Sequence, residues 1–326
     1  MTDWSTQPER GNATLVRLMV WIVRRLGWLA VRLLLPITAW FYLFSREARL
    51  ASRSYLSRVL DRPVGPGDVF RHMFTFASVI LDSVYLLSGR TDLFTIDVTG
   101  LEHLNAVIES GRGCLLLGGH LGSFDVLRRV AEKAPVPVKA LMFRANAGAL
   151  TCLLERLDPA LAACIIEIGD IHAMLRVHEA VAGGAVVGIL ADRCPRGSRS
   201  IPAPFFGEPA AFPMGPFVLA GSLGVPVLTF HGVRTGPRRY DIRFAPFAEQ
   251  VVLRRATRQA DLVAYVARYA AWLETGCRAY PFNWFNFYPF WERAEHAPTQ
   301  ARPATASASA AGADAGAFVR SRAAAG

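Results

Sequence analysis

Charged residues are scarce in this chain of 326 residues. Asp, Glu, Lys and Arg make up 19% of it and apolar residues 52%, whereas an average globular chain has about 25% charged residues. This balance excludes disordered, collagen-like and coiled-coil proteins. It also argues against a freely soluble enzyme, whose surface usually carries more charge. The length is nevertheless sufficient to bury a substantial hydrophobic core.

Cysteine is also sparse, with five widely spaced residues and no C-x-x-C pair. That pattern excludes a disulfide framework and predicts no metal site. Reduced thiols in a cytoplasmic compartment are the simplest interpretation. The sequence has no zinc-finger or RNA-recognition motif, so we expect no nucleic-acid partner.

Lysine is nearly missing, and arginine carries the positive charge. Lys133 and Lys139 are the only lysines against 34 arginines, and the formal net charge is +10. Residues 1–62 hold ten of these arginines and four acidic residues, so more than half of the excess lies in the first fifth of the chain. A basic stretch that is also apolar and aromatic indicates contact with an anionic membrane surface.

Residues 12–44 are the most apolar stretch of the chain, and Leu26 to Phe44 contains a single charge, Arg32. This length nearly spans the hydrocarbon layer. Four arginines recur on one helical face: Arg17, Arg24, Arg25 and Arg32. Such a helix also fits the membrane interface, with its arginines reaching the headgroups, and both geometries stay open. The arginines interrupt the apolar region that a cleavable signal peptide would need.

The remaining chain predicts an α/β fold. Two helices (45–60 and 68–88) precede an alternation of short apolar strands and helices, which indicates a mostly parallel sheet flanked by helices on both faces. The predicted strands are Leu93–Val98, Cys114–Leu117, Val136–Met142, Cys164–Ile168, Ala185–Leu190, Val225–His231 and Tyr240–Phe244. The predicted helices between and after them cover 101–110, 123–132, 148–157, 171–182, 213–223 and 257–276. Residues 191–211 are predicted to be a long loop rich in Pro, Gly and Arg.

Three regions follow from these patterns. Residues 1–60 are predicted to be a membrane-associated helical segment, and residues 61–296 the α/β domain. Residues 297–326 consist mainly of Ala, Ser, Thr, Pro and Gly. That composition is typical of a disordered tail.

The sequence GGHLGSFD, residues 118–125, stands between an apolar strand and a helix. This carboxyl edge of the sheet is where α/β proteins place their sites. Gly119 and Gly122 allow a tight turn and the close approach of a substrate. The H-x4-D spacing lets Asp125 accept a hydrogen bond from one imidazole nitrogen of His120, leaving the other as a general base. The alternative is a helix-capping histidine beside an ordinary first-turn acid.

Other candidate residues follow neighbouring strands. Arg144 and Asn146 come after one strand and Asp192 and Arg193 after another, so both pairs should reach the edge that carries His120. An arginine there can hold a phosphate or a carboxylate, or form a solvated salt bridge. Further along, Phe206 and Gly207 are candidates for lining a lipid groove, or for ordinary packing against the sheet.

Taken together, these motifs resemble the lysophospholipid acyltransferase superfamily. The resemblance rests on an apolar N-terminal helix, G-H-x4-D at a strand end, an arginine after the next strand, F-F-G and a V-P-V strand. Within the superfamily the chain is similar to the bacterial lipid A lauroyl/myristoyl acyltransferases and to predicted acyltransferases of aryl-polyene-type lipid pathways. The latter group shares Q-P-E-R-G (7–11), L-A-D-R (190–193) and N-W-F-N-F-Y-x-F-W (283–291).

The resemblance implies a membrane-associated O-acyltransferase at the inner membrane, with its catalytic domain facing the cytoplasm. An acyl-carrier protein or coenzyme A thioester would donate the acyl chain, and a hydroxyl of a lipid or glycolipid would accept it. His120 with Asp125 would act as the base, without metal or cofactor. A thioesterase using the same dyad and a non-catalytic lipid-binding protein are the alternatives. Phe212–Gly215 lacks the Glu and Thr-Arg of the phosphate-binding block of glycerol-phosphate acyltransferases, so a lysophosphatidate acceptor is not implied.

Overall fold

The computed structural model describes residues 30–87, 89–124, 126, 136–142, 164–168, 172–195 and 197–293. The first 29 residues of the chain, the predicted helices 123–132 and 148–157 for the most part, and the predicted tail lie outside these ranges. The same holds for Asp125, Arg144 and Asn146 among the candidate site residues.

Three helices come first: α1 (Ala30–Phe44), α2 (Arg46–Val59) and α3 (Pro66–Leu87). The predicted helices 45–60 and 68–88 are thereby confirmed. In α2, the buried residues Ala48, Tyr55 and Val59 recur at helical spacing, which gives the helix one apolar face. This face joins the main hydrophobic core of the molecule.

Among the described helices, one is long and apolar enough to cross a membrane, and it covers residues 66–86 in α3. However, 61% of its most apolar window is buried inside the molecule. Burial of this extent is also found in the core helix of a globular domain. The shorter apolar helix of residues 34–44, in α1, has a different surface: Ile37, Trp40 and Leu43 are 51–66% exposed.

A sheet of seven strands forms the centre of the fold, in the order β1-β9-β8-β2-β5-β3-β4. Its members are β1 (Thr95–Thr99), β2 (Cys114–Gly118), β3 (Val138–Met142), β4 (Ile165–Glu167), β5 (Val186–Leu190), β8 (Val227–Gly236) and β9 (Arg239–Ala248). Five of the six neighbouring pairs are parallel, and β8 with β9 is antiparallel. The mostly parallel α/β fold and all seven predicted strands are confirmed.

Both faces of the sheet are buried. Along β2, Leu115 and Leu117 face the larger core cluster, while Cys114 and Leu116 face the second. The described α-helices after α3 are α4 (Leu101–Glu109), α5 (Ala173–Ala182), α6 (Gly215–Leu223) and α7 (Arg258–Ala279). Parallel strands covered on both sides read as continuous apolar runs, which explains the sequence of β2.

The predicted loop 191–211 is wrong over its second half. Residues Ser200–Phe205 and Glu208–Pro213 form an antiparallel hairpin, β6 and β7, as a separate two-stranded sheet. In β6, Ile201, Ala203 and Phe205 are buried, whereas the prolines between them are exposed. Proline is tolerated in an isolated edge hairpin because its missing N–H can face solvent. The prolines that indicated a loop therefore mark the solvent face of a strand.

Candidate active site

The turn after β2 is held by backbone hydrogen bonds from two other parts of the chain. The Phe285 amide donates to the His120 carbonyl (2.9 Å) and the Gly122 amide to the Asn283 carbonyl (2.8 Å). On the other side, the Ser123 amide donates to the carbonyl of Gly232 (2.7 Å). The predicted Gly-rich turn is thus fixed between β8 and residues 283–288, which we call the closing segment.

Gly122 is required in this turn for steric reasons, and Gly119 is tightly packed. Gly122 has a φ of +85°, and a Cβ on it would lie 2.0 Å from the Gly232 carbonyl oxygen. A Cβ on Gly119 would approach Leu273 and the Tyr269 hydroxyl of α7 at 3.0 and 3.2 Å. Both glycines therefore permit close packing around His120.

The described carboxylate partner of His120 is Asp192. Its Oδ1 lies 2.7 Å from Nδ1 of the imidazole, and its Oδ2 accepts the His120 backbone amide at 2.9 Å. The two residues are 72 positions apart in the sequence. The imidazole remains reachable from solvent, because the His120 side chain is 26% exposed.

Strand register explains why these residues meet. Strands β2 and β5 are parallel neighbours, and Gly118 pairs with Leu190 at their carboxyl ends. His120 and Asp192 each come two residues after this pair. The prediction that Asp192 reaches the edge that carries His120 is confirmed.

Asp192 is fully buried and accepts two further hydrogen bonds from the closing segment. Trp284 Nε1 donates to its Oδ2 at 2.9 Å, and Asn286 Nδ2 donates to the same oxygen at 3.1 Å. Trp284 and Asn286 are not among the site residues predicted from the sequence. The available signal was the presence of amide side chains within a run of aromatic residues.

These contacts set the protonation states of the pair. Burial by itself would raise the pKa of Asp192, but the charge and hydrogen bond of His120, with the Arg193 charge, hold it well below its ordinary value. Burial and the Arg193 charge lower the pKa of His120, although Asp192 opposes them. At neutral pH the carboxylate is therefore ionised and the imidazole neutral. With Nδ1–H donating to Asp192, Nε2 carries the basic lone pair.

Arg193 packs against the closing segment. Its Nε donates to Asn286 Oδ1 (2.7 Å) and its Nη2 to the Phe285 carbonyl (2.8 Å). The guanidinium also lies over the Tyr288 ring, 5.9 Å from its centre. These contacts place the charge of Arg193 beside the His120–Asp192 pair.

Phe206 and Gly207 form the two-residue turn between β6 and β7, with φ angles of 54° and 78°. Positive φ at both positions is typical of a type I′ hairpin. Phe206 is buried and its amide donates to Glu274 Oε2 (2.6 Å), whereas Gly207 is exposed. The Phe206 ring packs against Tyr55, Phe205 and Trp291, with ring centroids 4.6–6.4 Å apart. A role of these two residues in lining a lipid groove stays a prediction.

Within the described ranges, no group of three or more His, Cys, Asp or Glu side chains has an arrangement suited to a metal ion. The chemistry that these residues offer is that of a general base: a neutral imidazole, oriented by an ionised carboxylate, at the carboxyl edge of a parallel sheet.

The profile of the bacterial lipid A biosynthesis acyltransferases matches residues 8–293, most of the chain. The chain belongs to this family. No curated protein matches it. As a member of the lipid A biosynthesis acyltransferase family it is an acyltransferase, which takes an acyl donor and a lipid acceptor. Members of this family are membrane-associated.

Proposed function

We propose that this acyltransferase moves an acyl chain from an acyl-carrier protein thioester to a hydroxyl of a lipid or glycolipid, with His120 as the general base. The observation that carries this proposal is the 2.7 Å contact between His120 Nδ1 and the ionised Asp192. A carboxylate on Nδ1 fixes the tautomer in which Nε2 accepts a proton.

The reaction then proceeds in two steps. As the acceptor hydroxyl attacks the thioester carbonyl, its proton moves to His120 Nε2 and a C–O bond forms. Collapse of the tetrahedral intermediate breaks the C–S bond, and the imidazolium returns the proton to the leaving thiolate. Asp192 stabilises the imidazolium between the two steps.

The negative oxygen of the intermediate needs a donor. The backbone amides of His120, Gly122 and Ser123 already donate within the fold, so they are poor candidates for this role. We propose Arg144 for this role. It follows β3, which is parallel to β5 and ends at Met142 on the same edge of the sheet. Asn146 follows it and is proposed to bind substrate there.

Asp125 was predicted as the partner of His120, and the H-x4-D spacing still makes it a candidate. The Asp192 contact supports a different division of roles, since a single N–H on Nδ1 has one proton to donate. Under this proposal Asp192 orients the imidazole, and Asp125 contributes less to the rate.

The test is product analysis with the full chain in membranes. Saturated acyl-carrier protein thioesters of several chain lengths are supplied with and without extracted membrane lipid. Wild type should form acylated lipid, and His120→Ala should lower this rate by at least about a hundredfold. Near wild-type transfer by a folded His120→Ala protein would exclude this mechanism. Free fatty acid formed at the same rate with and without lipid would establish the thioesterase alternative.

Residues 1–60 are proposed to hold the enzyme on an anionic membrane. Five apolar residues of α1 are 51–68% exposed: Leu35, Ile37, Trp40, Leu43 and Phe44. In α2, Leu50 is exposed between the exposed Arg46 and Arg53. Exposed apolar side chains beside arginines are typical of a membrane-facing surface.

Attachment can be tested on this surface without deleting a helix. Trp40→Glu with Leu43→Glu should shift the protein from vesicles of anionic phospholipid to the supernatant. Val252→Glu with Val263→Glu is the matched control, because these apolar residues are also exposed but lie in and beside α7. Equal vesicle binding by both double variants would contradict the proposal. A reporter that functions only in the cytoplasm should be active when fused to the C-terminus. A reporter that functions only in the periplasm should be inactive at the same position.

An acyl-carrier protein is the proposed donor because it is acidic and this chain carries a net charge of +10. Arg193 contacts the closing segment, so the docking role falls to Arg199, which is exposed, and to Arg144 and Arg196. Arg199→Glu should weaken the carrier-protein reaction more than the coenzyme A reaction. Arg255→Glu has the same charge change on the loop after β9 and should leave both unchanged. Equal effects of Arg199→Glu on both donors would exclude carrier-protein docking at this site.

A further inference from the structure

Two side chains of the closing segment donate hydrogen bonds to the same carboxylate oxygen of Asp192, Oδ2. Oδ1 faces His120 Nδ1, while Oδ2 receives the indole N–H of Trp284 and the amide N–H of Asn286. The His120 backbone amide completes the set on Oδ2. This division between the two oxygens fixes the rotation of the carboxylate about its Cβ–Cγ bond.

Both donors are themselves held firmly. Trp284 is fully buried, and its ring lies 4.8 Å from Tyr55, 5.4 Å from Phe205 and 4.9 Å from Phe290. An indole in such packing has a single orientation, so its N–H is aimed before any substrate binds.

Asn286 is 1% exposed and joins two charged groups. Its amide nitrogen donates to Asp192, and its amide oxygen accepts from Arg193 Nε at 2.7 Å. The amide thus has its donor towards the anion and its acceptor towards the cation, which defines its orientation. It also keeps the charge of Arg193 close to Asp192.

We propose that Trp284 and Asn286 are positioning residues of the acyltransferase reaction, which orient Asp192 and thereby the imidazole of His120. Trp284 and Asn286 then belong to the catalytic machinery, whereas the other side chains of the closing segment serve packing and the fold. This inference rests on the proposed role of His120 as the base. The motif N-W-F-N-F-Y is then explained chemically, because its Trp and its second Asn donate hydrogen bonds to the carboxylate of Asp192.

The two donors also moderate the charge that His120 experiences. Hydrogen bonds to Oδ2 spread the negative charge of Asp192, so their removal makes the carboxylate a stronger partner for the imidazolium. Among the described residues, the other titratable groups near the pair are Arg193, the buried Tyr269 hydroxyl, which donates to the Gly118 carbonyl, and the buried thiol of Cys277. Burial raises the pKa of both Tyr269 and Cys277, so they stay neutral. Loss of a donor should therefore raise the pKa of His120.

The experiment compares matched variants of the full chain in lipid nanodiscs. Trp284→Phe and Asn286→Leu each remove one donor to Asp192. Asn283→Leu is the control for Asn286, because Asn283 is also a buried amide of the closing segment but bonds the backbone of Arg234 in β8 instead. Trp291→Phe is the control for Trp284, because its indole donates to the Phe205 carbonyl.

Two readouts are measured: kcat and KM with an acyl-carrier protein thioester and extracted lipid, and the His120 pKa from its imidazole 15N shifts. The His120→Gln protein assigns the His120 signal. We expect both donor variants to lower kcat about tenfold or more, within the range of general-base catalysis, with little change of KM. The pKa of His120 should rise in both and stay unchanged in the two controls.

Asn286→Asp separates the two bonds of Asn286. It keeps an acceptor for Arg193 and removes the donor to Asp192, so it should raise the His120 pKa at least as far as Asn286→Leu. The inference is overturned if donor and control variants lower kcat equally, or if all leave the His120 pKa unchanged. Failure of the proposed function is a separate result: a folded His120→Ala protein with normal transfer would exclude the base, whereas the titration would still report the positioning of the imidazole.

Discussion

Two buried carboxylates in this molecule have pKa values that shift in opposite directions. Asp82 in α3 is 5% exposed and Asp192 is fully buried. Burial raises the pKa of Asp82, although the Tyr240 hydroxyl (2.8 Å) and Arg234 Nε (3.0 Å) oppose the rise. The pKa of Asp192 is instead well below its ordinary value.

The difference shows that burial alone does not decide the charge of a carboxylate. Asp192 accepts four N–H hydrogen bonds, two from His120 and two from the closing segment, and stands beside Arg193. Both described side-chain bonds of Asp82 reach the same oxygen, Oδ2. More donors on both oxygens stabilise the ionised form, which a partner of a general base requires.

The largest expected effect is on kcat, and it distinguishes Asp192 from Asp82. Asp192→Asn should lower kcat by at least about a hundredfold, because an amide does not stabilise the imidazolium and favours the wrong tautomer. Asp82→Asn should leave kcat unchanged. Acyl transfer by purified protein, normalised to folded protein by circular dichroism, measures both.

Asp125→Asn extends this comparison, since Asp125 is the sequence-predicted partner. It should lower kcat less than Asp192→Asn does. The reverse order would return the orienting role to Asp125 and leave Asp192 as a structural anchor of the closing segment.

The next largest expected effect is on the free energy of unfolding, through the cluster of Asp82, Tyr240 and Arg234, which we call the Asp82 cluster. Tyr240→Phe removes the 2.8 Å hydrogen bond and leaves a buried carboxylate with one donor fewer. The free energy of unfolding should fall by about 1–3 kcal/mol, while kcat stays unchanged. Chemical denaturation in detergent measures the first quantity. A fall in kcat at full folding would show that this cluster is coupled to the site.

The third prediction concerns the pH profile. Because burial and Arg193 lower the pKa of His120, the acid limb of kcat/KM should lie below the ordinary imidazole value of 6.5. Arg193→Met removes one of the lowering charges and should move this limb to higher pH. Asp82→Asn should leave it in place. An acid limb at or above 6.5 in wild type would contradict the assignment.

The smallest effect is the pH dependence of stability due to Asp82. Since its pKa is raised in the folded state, the folded protein binds this proton more tightly than the unfolded chain does. Its contribution to stability therefore decreases as the pH rises from 3.8, the ordinary value, through the raised folded pKa. Asp82→Asn should lack this slope. Thermal unfolding of both proteins across this pH range tests it, and identical slopes would contradict the raised pKa.

Much of the fold could be predicted because its signals are local. Parallel strands such as β2 and β5 are short apolar runs, and the breakers between them are Gly and Pro, so the strands and the edge that carries His120 were found. The hairpin of β6 and β7 was missed since its prolines resemble those of a loop. Buried and exposed side chains alternate along β6, and the buried ones pack against aromatic residues such as Trp291. These aromatic residues follow far along the chain.

The α/β class, the glycine turn and the position of His120 at a strand end could all be predicted from local sequence, because each depends on neighbours within about ten residues. The tertiary structure decided which side chains surround the imidazole. The sheet order sets β5 beside β2 and brings Asp192 to Nδ1, and the closing segment, more than 160 residues after His120, brings Trp284 and Asn286 to Asp192. Such contacts arise from strand order and core packing, which no local spacing encodes.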